Sequence, residues 1–178
     1  MDALEALLTR RSIRAFRSEP VDPALLHRVL GAALHGPSAG NQQPWRFVVI
    51  DDPQILRLLA LDHPHASVLK ACPVAILVCA ETVDLHHPDH WPSDCAAATF
   101  SLMLAAHALG LGSTWIGLHP QQDRMAALRG AALLPPEVEP FALVPLGHPA
   151  ERTDQPDREH PEWIRHNTYL QPWGSGQG

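Results

Sequence analysis

The chain has 178 residues, 46% of them hydrophobic, and a formal net charge of −6 at pH 7. That is enough apolar material for one domain with a buried core, and too much for a globally disordered chain. The acidic balance excludes the basic excess or stripe that nucleic-acid binders carry.

In chain order, Asp2 to Leu8 reads as a short helix and Val21 to Leu34 as a longer one. In the second, Leu25, Leu26, Val29, Leu30 and Ala33 recur at the three-and-four spacing of an apolar stripe, with Pro23 near its start. Gly36-Pro37 ends it, and a loop follows from Ser38 to Pro44. Trp45 to Ile50 is β-branched and aromatic, which predicts a strand. Asp51-Asp52-Pro53 then caps a helix to about Ala60, and His63 to Ala71 is ambiguous. Pro73 to Ala80 is a near-continuous apolar run, as expected of a strand buried on both faces. Glu81 to Pro92 is a polar loop.

Ser93 is the expected N-cap of a helix, with Asp94 in its first turn, running to about Leu109 and stopping at Gly110. Apolar residues lie almost all round this alanine-rich helix, so it should be central. Ser113 to Leu118 reads as a strand, Gln121 to Arg129 as a short helix and Glu139 to Leu146 as a last strand. Ala150 to Gly178 is charged and proline-rich, an extended arm with Trp163 and Trp173 as anchors and a disordered end from Gly174. The uncharged stretch from Cys95 to Gln122 contains Gly110, Gly112, Ser113, Thr114 and Gly117, which favours a buried helix and strand over a membrane span. Strands and helices are intermixed, and no glycine-rich fingerprint follows the first strand. The expected class is α+β, with a mixed central sheet flanked by helices.

Cys72, Cys79 and Cys95 sit in apolar runs and read as buried thiols of a cytoplasmic protein. The opening residues lack the apolar run of a secretory signal. His63, His65, His86, His87 and His90 match no familiar zinc spacing, so no metal is expected. Ser38 follows a proline rather than sitting in a nucleophile elbow, which argues against a hydrolase.

Two segments carry the chemistry. Arg10-Arg11-Ser12-Ile13-Arg14 offers three guanidinium groups and a hydroxyl within five residues. Guanidinium forks match phosphate oxygens, and each charge-assisted hydrogen bond contributes about 1.5–3 kcal/mol. The same segment could equally be a solvated basic turn. Gly36 to Trp45 offers small side chains, which let a backbone approach a flat ring. It also carries Asn41 and Gln43, whose amides suit a ring edge of alternating donors and acceptors. That loop could equally be a helix-to-strand connector.

The two segments in order, followed by two more, make the sequence similar to the FMN-dependent nitroreductase family. Arg10 to Arg14 resembles the family's first signature and Pro37 to Phe47 its second. Asp94 through Trp115-Ile116-Gly117 resembles the third, and Leu146 to Glu151 the fourth. The resemblance spans roughly residues 1–165.

It implies a nitroreductase-like fold in an intertwined homodimer. Residues 1–150 would form the FMN-binding domain, and 151–178 an arm packing on the partner subunit. It also implies roles. Arg10 and Ser12 hold the FMN phosphate, and Arg11 lies near the phosphate and ribityl chain. Arg14 lies near the N1/O2 edge of the flavin. Pro37, Ser38, Ala39, Asn41 and Gln43 belong to a loop reaching the flavin from the other subunit. Trp115, Ile116 and Gly117 face the ring near N5. Gly147 and His148 form a turn close to the phosphate end. Arg158 reaches the phosphate, with Arg152 competing for that role.

No protein side chain is required as a catalyst, because the flavin carries the chemistry. NADH or NADPH would reduce FMN at N5. An electron-poor small molecule, such as a nitroaromatic or quinone, would then take the hydride in a ping-pong cycle. A different flavin enzyme on the same fold (a dehydrogenase or a flavin-fragmenting oxidase) and a non-catalytic FMN-binding redox protein are the alternatives. Residues 60–72, the Glu81–Pro92 loop and His119-Pro120-Gln121 are expected to line the substrate face.

Overall fold

The computed structural model describes residues 1–60, 66–151, 153–154 and 156–174. The ten regular elements are α1 (Ala3–Thr9), α2 (Pro23–Leu34), β1 (Trp45–Ile50), α3 (Pro53–Leu59), β2 (Val74–Glu81), α4 (Trp91–Ala108), β3 (Gly112–Ser113), β4 (Ile116–Gly117), α5 (Gln122–Ala131) and β5 (Val138–Gly147). Short 3-10 turns cover Ala39–Asn41, Ala66–Lys70, Pro88–His90 and Pro161–Trp163.

Local chemistry explains most boundaries. Asp2, Asp22 and Asp52 each accept a backbone N–H of the helix they precede, at 2.7–2.8 Å. Pro23 and Pro53 occupy the first helical turn, where a missing N–H costs nothing. The start of α4 differs from expectation. The helix begins at Trp91, because the Pro88–His90 turn runs directly into it and Pro92 fits its first turn. Ser93 is therefore not an N-cap; its hydroxyl donates to the His90 carbonyl at 2.8 Å.

The sheet has five strands, ordered β1-β2-β5-β3, with β4 also on β5. Its four ladders are antiparallel, and a parallel bridge between Ser12 and Ser113 makes it mixed. β2 lies at its centre and is buried almost throughout. Its side chains alternate between two cores, as pleating requires. Val74, Ile76, Val78 and Ala80 join Val29, Ala33, Ala98 and Leu102 beneath α2 and α4. Ala75, Leu77 and Cys79 join Leu56, Leu59, Met125 and Leu128 beneath α3 and α5. Both faces are covered, which is why β2 reads as an unbroken apolar run.

The expected strand from Ser113 to Leu118 is divided into β3 and β4. Ser113 pairs with Leu146 and Ile116 with Leu143, so the register does not change across the gap. The Thr114 N–H reaches the Pro145 carbonyl at 3.3 Å, but Pro145 has no N–H to return. A second irregularity lies on β5, where the register against β2 shifts between Val78 and Cys79 and leaves Phe141 without a partner on β2.

The arm beyond Glu151 lies on the surface. The His166 N–H donates to Gln171 and the Trp173 N–H to Ile164, closing a small hairpin. Trp163, Tyr169, Leu170 and Trp173 on it are largely exposed, Leu170 at 90%. The expected disorder after Gly174 falls on residues 175–178, outside the described residues.

Gly147 ends β5 against the ring of Pro73. A Cβ there would stand 2.8 Å from Pro73 Cδ and 3.2 Å from Phe16. Gly147→Ala is expected to destabilise the fold by about 1–3 kcal/mol through overpacking, read as a lower urea midpoint at unchanged m-value.

Candidate functional site

Residues 12–17 run along one end of the sheet and are held there by backbone bonds. The Ile13 N–H donates to Ser113 at 2.9 Å, Arg17 to His148 at 2.9 Å, and Ala150 back to Ala15 at 2.9 Å. The approach is close: a Cβ on Gly112 would meet Ile13 at 2.8 Å. Glu151 Oε1 accepts the N–H groups of Arg14 and Ala15 at 2.6 and 3.1 Å, so that carboxylate is directed at backbone. This stitching fixes where the arginines emerge.

Arg10 and Arg11 follow α1 directly. Arg11 Nη1 donates to the carbonyls of Leu8 and Arg10 at 2.9 and 2.7 Å, closing the helix end. Its Nε and the Nη1 of Arg10 are buried without a hydrogen-bond partner among the described residues. Burial pulls the Arg10 pKa below its ordinary value, and repulsion from Arg158 and Arg11 pulls it further. Arg158 is thus close enough to Arg10 to be felt as charge. Arg152, its competitor, lies outside the described residues. The same cluster acts on His107, whose Nε2 is 2.8 Å from Thr9 Oγ1. Its pKa is lowered by burial and then by Arg10 and Arg11.

Orphaned N–H donors on crowded guanidinium groups fit a phosphate dianion, which supplies both acceptors and countercharge. Ser12 sits beside them on its bridge to Ser113. Gly147 and His148 form the neighbouring strand end. His148 Nδ1 is 3.8 Å from Glu19, and the glycine is required there by packing on Pro73.

Arg14 points elsewhere. It borders a cavity of about 520 Å³ together with Trp115, Ile116, Gly117, His119 and Arg124. The bulge residue Phe141 packs behind the Trp115 and His119 part of its wall. The Phe141 carbonyl accepts the N–H groups of both Leu118 and His119, at 3.1 and 3.0 Å. Its ring packs edge-on to Trp115 at 5.7 Å and stacks on His119 at 6.2 Å. Trp91 at the head of α4 closes the group, edge-on to His119 at 4.7 Å. At Gly117 a Cβ would meet nothing within 4 Å, so the space on its side-chain side is open. His119 and Gln121, expected on a substrate face, do line this cavity.

The loop at 37–43 is not part of it. Ala39–Asn41 forms a 3-10 turn, with Gly40, Asn41 and Gln43 at positive φ. Asp94, 4% exposed, holds the turn: its Oδ1 accepts from the Ala39 N–H at 2.9 Å and its Oδ2 from Gln42 Nε2 at 2.7 Å. Gln42 also bonds both backbone groups of His87, at 3.0 and 3.1 Å. Ser38 Oγ accepts the Gln43 N–H at 3.1 Å. Pro37, Asn41 and Gln43 are left exposed. This loop borders a second cavity, of about 420 Å³, shared with Arg46, Glu81 and the first residues of the Glu81–Pro92 loop. The expected site residues therefore form three groups: Arg10, Arg11, Ser12 and Arg158 with the Gly147–His148 turn; Arg14 with Trp115–Gly117; and the loop. Residues 69–72 border a third cavity with Phe16 and Arg57, apart from Arg14 and Trp115.

Sequence reasoning passed over Phe141 and Arg124, and gave Gln42 and Asp94 places in the second and third signatures, Asp94 also in a first helical turn, without their bond to each other. Asp94 carried a signal: it is the lone carboxylate on a helix otherwise apolar all round. The three cysteines are buried and free; burial pushes the thiols of Cys72 and Cys79 up to about 12 and raises that of Cys95 as well. Among the described residues, no group of His, Cys, Asp and Glu side chains converges as a metal site, and no helix is long and apolar enough to cross a membrane.

The sequence matches the model of the Nitroreductase family over residues 7–71 and 60–148. A protein of Methanothermobacter thermautotrophicus, provisionally described as an NADH dehydrogenase/NAD(P)H nitroreductase, is 39% identical over 173 residues, covering 97% of this chain and 88% of its own. A crystal structure from Parabacteroides distasonis with the same provisional description superposes with a TM-score of 0.89 at 31% identity, covering 94% and 98% of the two chains. A nitroreductase-type structure from Desulfovibrio desulfuricans, solved in complex with FMN, superposes with a TM-score of 0.82 at 29% identity, covering 95% and 98%.

Asp94→Ala would strip the buried Ala39 N–H and the Gln42 amide of their acceptor. It is expected to cost about 1–3 kcal/mol in urea unfolding, with Asp94→Asn costing less because one acceptor oxygen survives.

Proposed function

The chain belongs to the nitroreductase family and is an oxidoreductase, and we propose that it is an FMN-dependent NAD(P)H oxidoreductase reducing nitroaromatics, quinones or similar electron-poor acceptors. The observation that carries this reading is the arginine cluster: half-buried at Arg10 and Arg11, with repulsion from Arg11 and Arg158 acting on Arg10, and with buried donors at Arg10 Nη1 and Arg11 Nε that find no acceptor among the described residues. When bound, FMN supplies the hydride chemistry, so no protein nucleophile or acid–base pair is needed.

The chain's own residues bind and orient. Arg10, Ser12 and Arg158 hold the phosphate monoester, with Arg11 beside it and the Gly147–His148 turn at the same end. Arg14 places a fixed positive charge at the N1/O2 edge, where negative charge accumulates on reduction. Trp115, Ile116 and Gly117 give the ring a strand segment to lie against, with open space on the side-chain side of Gly117. Phe141 braces Trp115 edge-on and is itself stacked on His119. Donor and acceptor share one cavity in turn, which gives ping-pong kinetics.

Two copies of the chain complete the site in this reading. The loop carrying Pro37, Ser38, Ala39, Asn41 and Gln43 is rigidly held yet borders a different cavity from Arg14, so it serves the flavin of a partner protomer. Leu4 and Leu7 on α1 and Phe100 on α4 are exposed apolar groups for such an interface, and the aromatic hairpin of the arm is a further one. The buried, protonated thiols suit a cytoplasmic setting.

Titrating flavin-free protein with FMN and following flavin fluorescence tests the clamp. Arg10→Ala is expected to weaken binding about 10- to 100-fold, the equivalent of one charge-assisted hydrogen bond. Arg57→Ala, on α3, should stay within about twofold; equal effects would refute the site. Dilution below the dimer dissociation constant should release FMN, as seen by sedimentation at the flavin absorbance, and a monomer that retains it tightly would contradict the shared pocket.

A further inference from the structure

Resting on that reading, we propose that Arg124 makes the Arg14 cavity a receptor for a carboxylate carried on a flat aromatic acceptor. The cavity of about 520 Å³ is lined by two guanidinium groups and, among the described residues, by no Asp or Glu. This positive lining stands against a chain of net charge −6, so it is local and not a general property of the surface. Arg14 is accounted for by the flavin edge. Arg124 is not: it lies in the first turn of α5, half-buried, on the lining of the same cavity.

The surroundings select the ligand. Trp115, partly exposed and braced by Phe141, offers an aromatic wall. His119 and Gln121 add polar groups along the same rim, and α5 begins there with no side-chain cap from Gln121. A guanidinium fork takes a carboxylate through two parallel hydrogen bonds, a geometry that a neutral amide cannot return. An aromatic carboxylate can therefore lay its ring toward Trp115 and its charge on Arg124. Asp123, the neighbouring acid on α5, does not line the cavity.

The test uses the FMN-loaded dimer and two non-reducible probes of one shape, benzoate and benzamide, titrated against the flavin absorbance band. Benzoate is expected to bind at least tenfold more tightly than benzamide to the wild type, and Arg124→Gln to erase that preference. In turnover, the ratio of kcat/KM for 4-nitrobenzoate over 4-nitrobenzamide should fall at least tenfold in Arg124→Gln and hold its wild-type value in Arg57→Gln. A wild type without preference for benzoate, or a preference that survives Arg124→Gln, overturns the proposal. So does a change confined to the KM of NADH or NADPH, which would assign Arg124 to the donor's diphosphate. Failure of the parent reading looks different: the flavin-loaded protein would then turn over neither nitro compound with either nicotinamide.

Discussion

The backbone of residues 12–17 is bonded to two strand ends at once, β3 on one side and the end of β5 on the other, and the site's electrostatics follow from that attachment. Ile13 and Phe16 turn inward and lock it, while Arg10, Arg11 and Arg14 make no ion pair with a carboxylate among the described residues. Glu151, close in space, is occupied by the N–H groups of Arg14 and Ala15. Holding like charges together under partial burial works against folding, as the depressed Arg10 and His107 pKa values record. A bound dianion would offset that penalty, and the proposed phosphate clamp rests on that balance.

The sheet's two irregularities contribute as much as its regular ladders. Pro145 removes one donor and interrupts the edge strand at Thr114–Trp115, which frees Trp115 to stand at the cavity. The bulge at Phe141 turns a carbonyl toward Leu118 and His119 and sets a ring beneath Trp115. A perfectly paired strand there would tie these groups into the ladder. Strand defects beside a binding site often re-aim side chains in this way, and here they create the wall that Arg124 and Arg14 face.

What could be read from sequence divides along physical lines. The apolar pattern gave α2 and the central strand because each reports its own burial: β2 is apolar from Val74 to Ala80 since both its faces are covered. Contiguous motifs marked Arg10–Arg14 and Trp115–Gly117 as segments, but contiguity did not announce that Arg14 borders the Trp115 cavity while Arg10 and Arg11 cluster with Arg158. Contacts between distant segments were not legible. Nothing near Asp94 announces that it receives Ala39 and Gln42 from 52 to 55 residues away, and nothing near Arg124 announces Arg14. The divided edge strand was legible in principle, through Pro145, but only to a reading that already paired the strands. Ser93 misled because a serine before an acidic residue has the local look of a cap, while the preceding turn had already started the helix.

The rigidity of the 37–43 loop bears on how the site is completed. Asp94, Gln42, His87 and Ser38 hold it in a conformation with three consecutive-region residues at positive φ, two of them not glycine. Such backbone is costly to maintain, and a surface connector of this length has cheaper conformations available. The buried carboxylate that enforces it sits on α4, the central helix, which also exposes Phe100. Fixing Asn41 and Gln43 outward therefore serves something outside their own cavity. In the proposed reading, with Trp115–Gly117 and Arg14 at a different cavity of the same chain, a second copy is the element that would bring the loop's amides and the Arg14 guanidinium to bear on one ligand.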